Sequence, residues 1–271
     1  MAEEDVPKGR RVADGNDQSS SRRGFVRKIV SVAALGGLGT LLLGRQSDSA
    51  SAAGPNQIAF YDASSSLTSS SNLRWYDEDG NLVAGYNGNT VTLGAIGATI
   101  SGGGASGAEN KVTDDYGTVG GGLSNRAGNN DETVTNARYA TVGGGYVNTA
   151  STQYATVGGG DHNGASGSYA TVPGGRSNAA AGDYCFAAGR RAKIDATHGG
   201  SFLFADMSNY DFNSTAANEF AVRATGGARF VTAIDGSGNP TKTTVITSAG
   251  NLGVGTSAPL YGLDLRTPGS T

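Results

Sequence analysis

From Tyr116 onward the chain repeats itself in steps of fifteen residues, and no globular plan tolerates that. Tyr139-Ala140-Thr141-Val142-Gly143-Gly144-Gly145 returns as Tyr154-Ala155-Thr156-Val157-Gly158-Gly159-Gly160 and as Tyr169-Ala170-Thr171-Val172-Pro173-Gly174-Gly175. Asn148, Asn163 and Asn178 follow their tyrosines at a constant distance, and Ala150, Ala165 and Ala180 follow the asparagines by two positions. Tyr116-Gly117-Thr118-Val119-Gly120-Gly121-Gly122 opens the series with Asn125 and Ala127, and Tyr184-Cys185-Phe186-Ala187-Ala188-Gly189 is a degenerate last copy. The first gap between tyrosines is longer, and places an eight-residue insertion around Asn129 to Asn136. A weaker copy precedes them at Gly97-Ala98-Thr99-Ile100 and Gly102-Gly103-Gly104. Internal repetition this tight is first a statement about fold.

Three consecutive glycines beside Thr-Val pairs make a helix unfavourable in every copy. A strand suits the unit: Tyr-Ala-Thr-Val alternates, with Tyr and Thr on one face and Ala and Val on the other. The glycine triplet supplies a tight turn or a close backbone approach. The Asn-x-Ala-Ser-Gly segment makes a second corner, where Asn and Gly are expected to take positive φ. One repeat is then one coil of a parallel β-solenoid. Coils ~4.8 Å apart bring equivalent residues into ladders, expected at Tyr116, Tyr139, Tyr154, Tyr169 and Tyr184, at Val119, Val142, Val157 and Val172, and at Asn125, Asn148, Asn163 and Asn178. Stacked asparagines can hydrogen-bond along the stack and stacked tyrosines add aromatic contact. Each coil offers its interior only a valine and one or two alanines. Against ~1–2 kcal/mol of backbone ordering per residue, that thin stripe predicts association of several chains.

Composition agrees with stacked rather than spherical β-structure. The 271 residues include 45 glycines, far above the usual ~7%. Collagen's strict one-in-three period is absent. Charged residues are 16% and hydrophobic ones 37%, with 8 Phe and 1 Trp, too lean for one thick core. Cys185 stands alone, which excludes an intrachain disulfide and a thiolate metal cage, and His162 and His198 lie in no metal-ligand spacing and read as polar turn residues. No metal or cofactor is expected, and the acidic balance of the folded part argues against nucleic acid.

Ser21-Arg22-Arg23-Gly24-Phe25-Val26-Arg27-Lys28, then an apolar run from Ile29 to Gly44, then Ser49-Ala50-Ser51-Ala52-Ala53, resembles a twin-arginine export signal carried by Arg22, Arg23 and Phe25. As a helix the apolar run spans about 24 Å, short of the ~30 Å hydrocarbon core, so no stable membrane span is expected once residues 1–53 are removed. No cysteine near Ala50 could take a lipid. The protein is expected outside the cell or on its surface.

Other chemistry is outweighed by chance. Gly102-x-Gly104-x-x-Gly107 and Gly253-x-Gly255-x-x-Ala258 echo the dinucleotide fingerprint, but neither opens a helix and such matches are common in a glycine-rich chain. Asp77-Glu78-Asp79-Gly80-Asn81 suggests a calcium loop, yet the position that should hold the closing glutamate is Gly88, so a turn is expected. Asp114, Asp115, Asp131 and Glu132 gather near the insertion, where a solvated loop is the better reading than a glycosidase pair.

Tyr154-Ala155-Thr156-Val157-Gly158-Gly159-Gly160, with Asn163 and Ala165-Ser166-Gly167, resembles the head repeat of YadA-like trimeric adhesins, over roughly residues 97–193. The flanks resemble modules of tail-fibre-like and surface-fibre proteins: Asn56 to Phe60 and Asn72 to Trp75 before the repeats, and Gly250 to Pro259 and Leu263 to Leu265 after them. Gly200 to Asp206 and Phe220 to Ala224 resemble the shoulder that follows such heads. The resemblance implies an all-β chain built on a left-handed parallel β-roll of ~15-residue coils, homotrimeric, with flanking short-strand modules. It also implies an adhesive or structural role without enzymatic activity, toward an unidentified surface glycan or protein. Nothing here matches a coiled-coil stalk, a membrane barrel or a self-cleaving chaperone domain, so the expectation is a short secreted protein or a piece of a longer fibre. The expected organisation is 1–53 signal, 54–96 N-terminal β module with a hairpin turned at Glu78 to Asn81, 97–193 roll, 194–250 shoulder and 251–271 extended tail. A phage-type receptor-binding fibre and a polysaccharide-acting solenoid enzyme are the alternatives.

Overall fold

The computed structural model describes residues 57–61, 67–76 and 78–266. The arginine pair and Phe25 lie outside the described residues, as does Asp77. Among the described residues there is no helix; every regular element is a strand.

The first three strands, β1 (Gln57–Tyr61), β2 (Leu67–Tyr76) and β3 (Asn81–Ala84), form an antiparallel meander, with Tyr76 facing Asn81 across the expected turn. From β3 the chain winds into a parallel solenoid that alternates between two sheets. In chain order its strands are β4 (Thr90–Val91), β5 (Thr99–Ile100), β6 (Lys111–Val112), β7 (Thr118–Val119), β8 (Arg126–Ala127), β9 (Thr141–Val142), β10 (Thr149–Ala150) and β11 (Thr156–Val157). They continue as β12 (Gly164–Ala165), β13 (Thr171–Val172), β14 (Ala179–Ala180), β15 (Phe186–Gly189), β16 (Ala192–Ile194), β17 (Phe202–Ala205), β18 (Phe212–Asn213) and β19 (Phe220–Arg223). Odd-numbered strands from β3 to β19 join β1 and β2 in one sheet; even-numbered strands from β4 to β18 make the other. A separate sheet follows, in the order β20 (Gly227–Ile234), β21 (Pro240–Thr247), β22 (Leu252–Val254), β23 (Leu263–Leu265).

On the odd-numbered sheet the coil step is fifteen residues where the repeat is clearest, Thr141 pairing with Thr156, Thr156 with Thr171, and Thr171 with Phe186. Phe186 then pairs with Phe202 and Phe202 with Phe220, so the later coils are longer. The parallel ladder thus runs beyond the residues that look repetitive, because a coil keeps its place by backbone pairing and an inward apolar residue while its corners change length.

Inside the roll, Ala140, Val142, Ala150, Ala155, Val157, Ala165, Ala170, Val172 and Ala180 have no exposure at all, and Val119 and Ile100 line up with them. Each buried valine contributes ~1.5–3 kcal/mol. These stripes are enclosed by the chain's own two sheets.

The corners differ from expectation. Positive φ falls on the tyrosines (Tyr139 64°, Tyr154 59°, Tyr169 60°) and on the residue before each asparagine (Val147 52°, His162 56°, Ser177 56°), while the asparagines themselves are not left-handed. The reason lies in what the asparagine side chain does. Asn163 is buried, its Nδ2 donates to the carbonyls of Gly159 and Gly175 (2.9 Å each), and its Oδ1 accepts from the Asn178 backbone N–H (3.0 Å). To aim that amide inward, the backbone turns one residue earlier. At the triplet's last glycine the coils nearly touch: a Cβ on Gly160 would lie 2.2 Å from the Gly175 carbonyl oxygen, and its φ is +91°.

Candidate functional site

A roll whose interior is closed presents function only on its outward columns. On the odd-numbered sheet, Thr99, Thr118, Thr141, Thr156 and Thr171 stand in register, and the column continues as Phe186, Phe202 and Phe220. Beside the threonines, Tyr116, Tyr139, Tyr154, Tyr169 and Tyr184 stack with ring centroids 4.7–5.0 Å apart and interplanar angles of 4–17°. Left-handed φ at each tyrosine swings the ring out over its neighbour one coil away, and the strand spacing of ~4.8 Å sets the stacking distance. The phenylalanines repeat the motif, Phe186 on Phe202 at 4.8 Å and Phe202 on Phe220 at 5.0 Å.

Stacking decides what this face can do. Ring faces along the tyrosine column are covered by the next ring, and Tyr116 is covered by Gly97, so flat stacking on a sugar is open only at the Tyr184 end. Between them the column offers ring edges, phenol hydroxyls and the adjacent threonine hydroxyls, a hydrogen-bonding strip with a ~5 Å period.

The second column comes from isolated parallel bridges joining Leu123, Tyr146, Asp161, Arg176 and Arg190. It is exposed and chemically varied: Arg176 Nε pairs with Asp161 Oδ2 at 3.0 Å, His162 Nδ1 contacts Asp161 Oδ1, and Tyr146 meets the His162 ring edge-on at 5.4 Å. The third column, on the even-numbered sheet, is Lys111, Arg126, Thr149, Gly164, Ala179 and Lys193.

Val119, Val142, Val157 and Val172 are buried in the roll and carry no chemistry. Asn125, Asn148, Asn163 and Asn178 are buried too, each passing its Oδ1 to the next coil, Asn178 to the Ala192 N–H at 2.9 Å. The ladder begins earlier than the recognisable repeats: Asn89 Oδ1 accepts from Asn110 N–H (2.9 Å) and Asn110 Oδ1 from Asn125 N–H (3.0 Å). Both precede a Thr-Val or Lys-Val pair, and that was the available signal.

The carboxylates near the insertion do not form a solvated cluster. Asp114 and Asp115 are buried. Asp114 accepts from Ala137 N–H (3.0 Å), Asn129 N–H (3.1 Å) and the Thr113 hydroxyl (2.9 Å), while Asp115 takes Ile96 N–H and Arg138 Nε at 3.1 Å each. They fasten both ends of the inserted loop to the coil beneath. Asp131, outside on the loop, is held below the usual carboxylate range by the Thr133 N–H and the Asn136 amide.

The most catalytic-looking pair is His198 Nδ1 and Ser214 Oγ, 2.7 Å apart. Ser214 is buried and its Oγ accepts the Asp195 N–H at 3.0 Å, so the pair ties one coil corner to the next. No group of three or more His, Cys, Asp or Glu that could hold a metal occurs among the described residues. At the end of the Asp-rich turn, Asn81 is buried with its Oδ1 on the Ala98 N–H and its Nδ2 on the Ala95 carbonyl, 2.7 Å each. No helix of the described residues is long and apolar enough to cross a membrane. No family model matches the chain, and no curated protein matches its sequence significantly.

Proposed function

We propose that this is an exported, non-enzymatic fibre protein, a homotrimer of left-handed β-rolls, acting in adhesion or as a structural element of a cell-surface appendage. The observation that carries the reading is the unbroken tyrosine and threonine strip over a closed interior: a long, regular, hydroxyl-bearing surface suits an extended ligand or another fibre, a surface glycan or a matrix protein, better than it suits a small substrate. The Arg22-Arg23 signal supports export, which favours a cell-surface role over a phage-type fibre assembled inside the cell.

The test is fractionation of cells making the chain with Arg22→Lys and Arg23→Lys together, beside the parent. The parent is expected on washed cells or in the medium and the double variant inside. Equal export of both would remove the twin-arginine assignment, recovery of the parent only in purified virus-like particles would favour the phage reading, and release of reducing ends from a glycan would establish an enzyme.

A further inference from the structure

The four-stranded sheet after the roll is inside out. Its registers place Ala228, Ile246, Leu252 and Leu263 in one row and Phe230, Thr244, Val254 and Leu265 in the next. Residues in register share a face, and rows two residues apart share the same one. In these two rows one face is therefore apolar at seven of eight positions, and the next row on it, Ala233 with Lys242, bounds the apolar stretch with a charge. On the reverse, Val245 and Asp264 are buried. The loop after β22 lies over that side: a Cβ on Gly253 would sit 2.9 Å from the Thr256 carbonyl oxygen, and Leu260 N–H donates to Asp264 Oδ2 at 3.1 Å. The chain covers the reverse side at Val245, Gly253 and Asp264 and leaves the apolar side bare, with Phe230 56%, Leu263 58% and Leu265 68% exposed.

The bare face does not stop at the sheet. A groove of about 520 Å³ runs from Phe230 and Ile246 to Phe220 and Val222 on β19, the last strand of the solenoid. Phe220 ends the phenylalanine stack and its outer ring face is open. Half-exposed side chains of this size, with aromatics offering ~150–250 Å² each, make a patch on the order of 500 Å². That is at the upper end for a free monomer's largest patch, and with Phe220 and Val222 it approaches the ~800 Å² per partner of a stable interface.

We infer that this face is where copies of the chain associate, β20 to β23 of each packing against the equivalent sheet of the others. The inference rests on the trimeric reading and deepens it: the subunit contact lies in the C-terminal sheet, and the roll interiors, already closed, take no part. Further copies of the chain are favoured as occupants because the two rows are uncharged and as wide as a sheet, and three like faces turned toward one three-fold axis cover one another. Their seven apolar residues would then fill a common core, with Thr244 within it and Lys242 at its edge.

The experiment is sedimentation velocity of the full chain and of the Leu263→Glu/Leu265→Glu variant, with circular dichroism of both. The parent is expected at three times the monomer mass, and the variant at monomer mass with the same β-signal, since the solenoid lies outside the altered face. As a second measurement, Val254→Cys is expected to cross-link between copies with a short bis-maleimide, while Ser237→Cys, in the β20–β21 loop, does not; Cys185 is buried and adds little background. A parent trimer that the double substitution leaves intact overturns this inference and spares the trimer. A parent monomer overturns both. A parent monomer that binds phosphatidylcholine vesicles, with binding lost in the variant, assigns the face to an apolar ligand and overturns self-association.

Discussion

Replacing Asn163 by alanine tests whether the buried amide ladder holds the coils together. Removing the side chain strips the Asn178 N–H of its acceptor and the Gly159 and Gly175 carbonyls of a donor. The Gly175 carbonyl still receives the Asp161 N–H at 3.0 Å, so two groups are left unpaired in the interior. At about 1–3 kcal/mol for each buried unsatisfied group, the loss is about 2–6 kcal/mol. At about 2–4 °C per kcal/mol for a chain of this size, Tm falls by roughly 4–24 °C. Asn148 makes the same bonds one coil earlier, to Gly144, Gly160 and Asn163, so Asn148→Ala should fall by a similar amount. His162→Asn, at the neighbouring exposed corner, should stay within about 0.5 kcal/mol, since asparagine tolerates the left-handed backbone there. Thermal and urea unfolding give the stability, and amide hydrogen exchange of the Asn178 N–H gives the local effect. A loss under about 1 kcal/mol with unchanged exchange at Asn178 would refute the ladder as a source of stability.

Gly160→Ala should prevent normal coil spacing or cost several kcal/mol, since its Cβ would meet the Gly175 carbonyl at 2.2 Å with φ at +91°, whereas Gly164→Ala, with nothing within 4 Å, should be close to neutral by the same unfolding assay. Acid should loosen the C-terminal coils before the central ones. Asp206 is held low by the Thr225 N–H and hydroxyl and Glu219 by the Thr215 N–H and hydroxyl. Depressed carboxylates stabilise fully above their unfolded values near ~4 and lose that contribution as pH falls through their folded values, so exchange protection should drop first around β17 and β19 below about pH 4. Val157→Asp should unfold the roll, because a carboxylate at a fully buried position among alanines and valines finds no partner; retention of native dichroism by the variant would mean the strand faces are reversed.

Legibility in the sequence followed how far a residue's neighbours repeat it. Ala155, Val157 and Ala165 could be assigned inward because equivalent residues in successive coils must share one environment, and only the interior suits alanine and valine together. The corners were harder. Positive φ sits at Ser124, Val147, His162 and Ser177, which share no chemistry; Val147 is a residue that ordinarily avoids this conformation. The fixed asparagine beside them drew attention to itself, yet its constancy reflects side-chain bonding. Beyond Gly189 the ladder persists while the letters change, since backbone pairing does not need Thr in the outward column and accepts Phe186, Phe202 and Phe220. Asp114 could be located near the insertion but not buried from sequence, because its partners are backbone N–H groups fifteen and twenty-three residues further on.

The same division bears on where specificity resides. Inward and ladder positions are held by the coil before and the coil after, so a change at Val157, Gly160 or Asn163 is felt by three coils at once. In the bridge column the backbone sets the place and the side chains vary: Leu123, Tyr146, Asp161, Arg176 and Arg190 occupy equivalent places with apolar, aromatic, acidic and basic side chains, and Arg176 pairs with Asp161 one coil away. Within one molecule, then, the fold accepts every class of side chain in that column without altering the coil. The tyrosine strip is uniform along its length, whereas the bridge column differs at every step. A ligand that reads position along the fibre must read it from the bridge column, and one that binds anywhere along it can use the strip.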